Sequence, residues 1–337
     1  MSKITDLCNE IAEKIPQVYE AGKKAGGGTK PSFAQIAKRT SLRHWYQYLI
    51  DNYTYEFDEE YNEFLNAELM ESIEYPLYTQ DITDFSNFAN GSIYHPMAMQ
   101  LYDIGVRVKK FSGTLDTSNG TNFSRMFWLC ADTEDVGELS DTSNGTNFND
   151  MFEGCSALTS VPSLDTSNGT NFAGMFEGCS ALTSVPSLDT SNGTNFAMMF
   201  YNCKALTSIP PLDLRKATIA SSMLNYCSTL LTVGLKNIKI NLQIGSGSSW
   251  GHLLTVDSLV NTIYECRDTG STKTLTVGSA NLAKLANVYV KLIDITDEMR
   301  AEDDLIDEKK PFEVCESTDE GAMLITNYVG LKNWKLA

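Results

Sequence analysis

The stretch Asp165–Leu182 reads DTSNGTNFAGMFEGCSAL. DTSNGTNFAMMFYNCKAL follows at Asp189–Leu206, DTSNGTNFNDMFEGCSAL starts at Asp141, and DTSNGTNFSRMFWLC starts at Asp116. A degraded fifth copy, DLRKATIASSMLNYCSTL, begins at Asp213. Two further residue types keep the phase of the aspartates: Met126, Met151, Met175, Met199 and Met223, and Cys130, Cys155, Cys179, Cys203 and Cys227. A loop of free length would not hold such a period. Self-similarity on this scale marks repeat architectures, in which each unit buries its apolar face against the next. The expected fold is therefore an α/β repeat solenoid over 113–290, a leucine-rich-repeat-like parallel stack. The methionines and cysteines form two inward-facing ladders.

Within one copy, Leu158–Leu164 carries Thr, Ser and Val and reads as a short extended segment that Pro162 keeps short. DTSNGTN is dense in turn residues. Phe172, Met175 and Phe176 follow at i, i+3 and i+4, the spacing of one helical turn, which Gly178 can end. Gly120, Gly145, Gly169 and Gly193 are expected to supply positive φ. Asp165, Asn168 and Asn171 recur in four copies and read as caps of backbone groups, with a stacked calcium site as the alternative. The Asn-Gly-Thr triplets at Asn119, Asn144, Asn168 and Asn192 are formal glycosylation acceptors and read as a by-product of the repeat.

Upstream, Ile4, Leu7, Ile11, Ile15 and Val18 line one side of a mainly helical N-terminal segment, 1–24. It serves either as the seam of a homo-oligomer, trimer or dimer, or as a docking helix; Pro16 interrupts it. Ala25–Pro31 reads as a hinge, and 25–112 as an attachment domain. Trp45, Tyr46, Tyr48, Tyr53, Tyr55, Phe57, Tyr61 and Phe64 crowd its middle at spacings that suit a helix-rich core. Residues 291–337 form an acidic C-terminal cap.

The net charge of −17 argues against nucleic acid and against an anionic membrane as partner. Asp51–Glu74 alone holds nine acids and no Lys or Arg. No apolar run is long enough to span a bilayer, and the N-terminus lacks the apolar core of a secretory signal. Synthesis in a cytoplasm is the resulting expectation, and there the cysteines read as buried structural thiols. No CxxC pair or His-rich spacing marks a metal site, and no cofactor is called for. His44, His95 and His252 stand in no catalytic frame, and neither a nucleophile elbow nor a phosphate loop is present, so an enzyme is not expected. The copies differ just before and just after Met-Phe: Ser124-Arg125, Asn149-Asp150, Ala173-Gly174 and Ala197-Met198, then Trp128-Leu129, Glu153-Gly154, Glu177-Gly178 and Tyr201-Asn202. Trp128, Glu153, Glu177 and Tyr201 are the candidate surface contacts.

The pattern LDTSNxTNFxxMFxxCxxLTSVP resembles the BspA-type leucine-rich repeats of bacterial and phage surface proteins. Leu254–Leu285 is similar to the closing coils of such proteins in gut bacteroidetes, their phages and prophages; Asn333–Ala337 resembles their usual end, and IAEKIPQVYEAGKKA the start of phage members. The resemblance implies a virion structural protein (fibre, tail or capsid decoration). Its N-terminal region would bind other virion proteins, and its solenoid would touch a host surface glycan or protein. A bacterial cell-surface adhesin and an intracellular protein-binding scaffold are the alternatives.

Overall fold

The computed structural model describes residues 107–244, 254–267, 272–294, 299, 311–327 and 334–336, with short pieces between 57 and 89. The line Ile4, Leu7, Ile11, Ile15 and Val18 lies outside the described residues, as does most of 25–112.

Successive copies lie in parallel register. Isolated bridges run Asp84 to Asn122, Asn122 to Asn147, Asn147 to Asn171, Asn171 to Asn195 and Asn195 to Ile219. Two columns of phenylalanine follow that register. Phe85, Phe123, Phe148, Phe172 and Phe196 stack ring on ring at 5.4–5.7 Å, and Phe127, Phe152, Phe176 and Phe200 at 5.4–5.6 Å. Each stacked pair adds about 0.5–1.5 kcal/mol beyond the area it buries. Met126, Met151, Met175, Met199 and Met223 are fully buried between these columns, beside Cys155, Cys179, Cys203 and Cys227; Cys130, at the N-terminal end, is 9% exposed.

The helical turn expected at Phe172–Phe176 does not form, and the reason lies in the backbone. Gly174 and Gly178 stand at φ 61° and 74°, and in other copies Arg125, Asp150, Met198, Ser222, Leu129, Asn202 and Tyr226 hold the same left-handed region. Two such residues per copy interrupt any i to i−4 ladder. The amides alternate instead. Phe172, Gly174, Phe176 and Gly178 donate N–H to the carbonyls of Asn195, Ala197, Met199 and Tyr201 in the next copy at 2.8–2.9 Å. Met175, Glu177 and Cys179 donate three residues back, to Phe172, Gly174 and Phe176. Every second amide thus depends on a neighbour.

The expected strand at Leu158–Leu164 is also absent, with Pro162 withholding one donor. Strand pairing of this segment appears in the outer copies: Thr114–Leu115 with Glu138–Leu139, and Ser208–Asp213 with Thr232–Lys236, both parallel. The latter register shifts at Gly234, where a Cβ would meet the backbone of Pro210 and Pro211.

The polar residues of the repeat each serve the stack. Thr117, Thr142, Thr166 and Thr190 are buried and donate Oγ–H to the carbonyls of Asp141, Asp165, Asp189 and Asp213 at 2.6–3.1 Å. Asn144, Asn168 and Asn192 donate Nδ2–H back to Ser118, Ser143 and Ser167. Asp165 and Asn171 cap turns by accepting from the amides of Ser167 and Ala173. Gly120, Gly145, Gly169 and Gly193 do not adopt positive φ, contrary to expectation; a Cβ there would overlap the ring of the Phe three residues on. Glycine is required for close approach, not for turn handedness.

Pairing reaches upstream of residue 113. Leu69–Met70 lies parallel to Arg107–Val108 and Ile73–Glu74 to Phe111–Ser112, while Thr83, Phe85 and Ala89 bond to the backbone of Thr121, Asn122 and Met126 as part of an earlier layer. Phe57 and Phe64, expected in a helix-rich core, belong to a short antiparallel pair. Downstream, the helix Val256–Tyr264 starts on Thr255, whose hydroxyl accepts from the amide of Ser258, and packs against Thr232–Lys236. Leu242–Ile244, Lys273–Val277 and Trp334–Leu336 make a parallel sheet with Lys273–Val277 as its central strand. Tyr289–Leu292 pairs antiparallel with Phe312–Cys315 and Met323–Leu324.

Two outcomes test this packing. Met175→Asp, which sets an unpaired charge between stacked layers, is expected to cost ~3–5 kcal/mol in urea unfolding; a parent-like midpoint would contradict the burial. Ser222→Gly installs at φ 57° the residue that position 174 already uses. It is expected to stabilise by about 0.5–1 kcal/mol, and a loss of stability would contradict backbone strain at this column.

Candidate functional site

The residue after each stacked phenylalanine faces outward. This places Trp128, Glu153, Glu177 and Tyr201 in one column, all half-buried, while the same place in the fifth copy holds Asn225, which is buried. The left-handed residue before each methionine forms a second column, Arg125, Asp150, Gly174 and Met198. Left-handed backbone turns both columns to the same side of the stack.

Arg125 ties the first two layers together. Its Nε donates to Asp150 Oδ2 at 3.2 Å, and its guanidinium lies 5.1 Å from the centre of the Trp128 ring. Asn149 Nδ2 holds the other Asp150 oxygen at 2.9 Å. Burial pushes the Glu153 carboxyl up to about 7; Asp150 and Glu177 add to the rise, while the Trp128 indole N–H and Arg125 oppose it. Glu177 is raised as well, by burial first and by Asp150 second. At the far end Tyr201 meets Tyr226 edge-on, with ring centres 5.0 Å apart, and Met198 is exposed. The floor between these ends is glycine. Leu129 leans over Gly154 and Asp150 over Gly174, whereas a Cβ on Gly178 would meet only the backbone of Gly154.

The structure thus brings all four candidate contacts onto one face. Sequence reading overlooked Tyr226, although Met223-Leu224-Asn225-Tyr226-Cys227 keeps the frame of the other copies and points to it.

The cysteine ladder has a different character. Cys155, Cys179, Cys203 and Cys227 each donate Sγ–H to the carbonyl of Phe127, Phe152, Phe176 and Phe200 at 3.0 Å, and Cys130 donates to Ala89 at 2.7 Å. Burial raises the thiols of Cys155, Cys179 and Cys203, and pushes Cys227 up to about 12. Such thiols are neutral and unreactive at physiological pH. Among the described residues no group of three or more His, Cys, Asp or Glu is arranged to hold a metal ion. Asp165 and Asn171, two of the residues weighed as calcium ligands, each accept a backbone amide through their side-chain oxygen.

Protonation of Glu153 links this face to stability. Its folded value stands above its unfolded one, so the favourable contribution is complete below about pH 4.5 and is lost as pH rises toward 7. Glu153→Gln should remove that loss. The variant is expected to gain on the parent by about 1 kcal/mol between pH 5 and pH 8, a figure reduced for the half-exposed side chain. Equal melting profiles at both pH values would show that Glu153 is not desolvated.

The repeat region matches a family described as "Mycoplasma protein of unknown function, DUF285", over residues 103–161 and 121–234. No curated protein and no solved structure matches the chain. The match covers the stacked copies and supports a repeat of the BspA type there in this coarse sense.

Proposed function

We propose that the chain is a non-enzymatic display protein whose stacked copies form a solenoid. A virion carries it in several copies as a fibre, tail or capsid decoration. The N-terminal region attaches it to other virion proteins or joins copies of the chain, and the solenoid binds a host surface. The observation that carries this reading is the division of labour within the repeat. Turn and core residues recur almost unchanged and are consumed by contacts between copies, while variation gathers on the face of Trp128, Glu153, Glu177 and Tyr201. Catalysis needs one unique constellation, whereas a row of near-equivalent surfaces suits contacts that are weak singly and strong together. Avidity multiplies such affinities by about 10²–10⁴.

A second reading, a bacterial cell-surface adhesin, is favoured by the bacterial family that matches the repeats. The two differ in where the protein is found. Mass spectrometry of purified virions is expected to detect the chain, and the purified chain is expected to hold host cells weakly as a single copy and about 10²-fold better when clustered on beads. Recovery by protease shaving of intact bacterial cells, with none in virions, would favour the adhesin. Equal cell binding by single and clustered chain would overturn multivalent display.

A further inference from the structure

We infer that the face between Trp128 and Tyr201 is a docking slot for an extended, arginine-bearing peptide segment of a partner protein. The inference rests on the binding reading above and names the chemistry of what the face takes.

The molecule contains its own example of the contact. Arg125 spans Asp150 and the Trp128 ring in the first layers. Beyond Asp150 its column holds Gly174 and then Met198, so this column supplies no further cation. Glu153, in the layer of Asp150, feels Arg125 without forming an ion pair with it, and no ion pair reaches Glu177 in the next layer among the described residues. Burial already disfavours both charges, and each further carboxylate worsens the balance. A guanidinium corrects that imbalance; a neutral sugar does not.

Spacing and shape fit the same occupant. Between Trp128 and Tyr201 the layers advance by the steps of the phenylalanine rings beneath them, 5.5, 5.6 and 5.4 Å. Side chains on one side of an extended segment recur every ~6.5–7 Å. That is about 1 Å longer than one layer step, a difference that two long arginine side chains take up in meeting the two glutamates. Trp128 at one end, whose ring already carries Arg125, and Tyr201 at the other are half-buried aromatics, and guanidinium stacks on rings better than ammonium. Gly154 and Gly178, which follow the two glutamates, add no side chain there.

The test uses the full chain and an acetylated, amidated Gly-Arg-Leu-Arg-Gly peptide, with the two arginines replaced by citrulline in the control peptide. Calorimetry at pH 7 is expected to show binding of the arginine peptide that weakens with salt, and at least tenfold weaker binding of the citrulline peptide. E153Q/E177Q should lose about tenfold, and Trp128→Ala a smaller factor. Asp165→Asn, which removes a charge from the turn on another part of the copy, should leave affinity unchanged. In buffers of differing ionisation enthalpy, binding should release protons, because an incoming cation draws the Glu153 proton off. Equal binding of the two peptides, an unaffected double variant, an equal loss in Asp165→Asn, or displacement by a neutral oligosaccharide would overturn the slot. Clustered chain that holds cells while ignoring the arginine peptide would sink this inference alone and leave the display reading standing.

Discussion

Register between copies is the constraint on which this molecule depends. From Phe172 to Gly178 every second amide finds its acceptor in the following copy, and the amides between reach back within their own copy, Ala173 to the Asn171 side chain and Met175 and Glu177 to carbonyls three residues earlier. An isolated copy would leave half of these donors without protein partners and would expose two phenylalanines and a methionine. Neighbours satisfy both needs at once, because the hydrogen bonds that set the layer spacing also bring the phenylalanine rings into stacking contact. Buried donors are costly to leave unmade, so the layers close together or not at all.

The near-verbatim repetition follows from this register. Buried threonines, back-reaching asparagines and thiols that donate to phenylalanine carbonyls are all contacts between one copy and the next. A change in one copy disturbs its neighbour as well. Glycine before the second threonine is constrained just as tightly, since a ring of the same copy occupies the place of its Cβ. Freedom remains only where a side chain leaves the stack, and there the copies diverge into tryptophan, glutamate and tyrosine.

The outward face inherits its geometry from the same backbone. Left-handed residues at 150 and 154, 174 and 178, 198 and 202 turn the chain twice per copy, and these turns place the variable residues in columns. Column neighbours then act on one another electrostatically, so that Glu153 senses Asp150, Glu177 and Arg125, residues of three different copies. The chemistry of the face belongs to the stack, since no single copy contains it.

The period, the inward Met and Cys ladders and the outward positions of Trp128, Glu153, Glu177 and Tyr201 were legible in the sequence, because a constant phase puts like residues on like sites whatever the local backbone does. The local backbone was not legible. Phe172, Met175 and Phe176 have the spacing of a helical turn, and Leu158–Leu164 has the composition of a strand, yet neither element forms. Propensity describes a segment bonding to itself, whereas here the amides are claimed by the neighbouring copy. For the same reason composition assigned Gly169 a turn role, when a ring packed against its Cα is what excludes every other residue. Sequence by itself determined which residues share a column and which columns face inward. Only the tertiary structure decided how the chain turns between them and which charges meet, because both depend on contacts between copies that no single copy encodes.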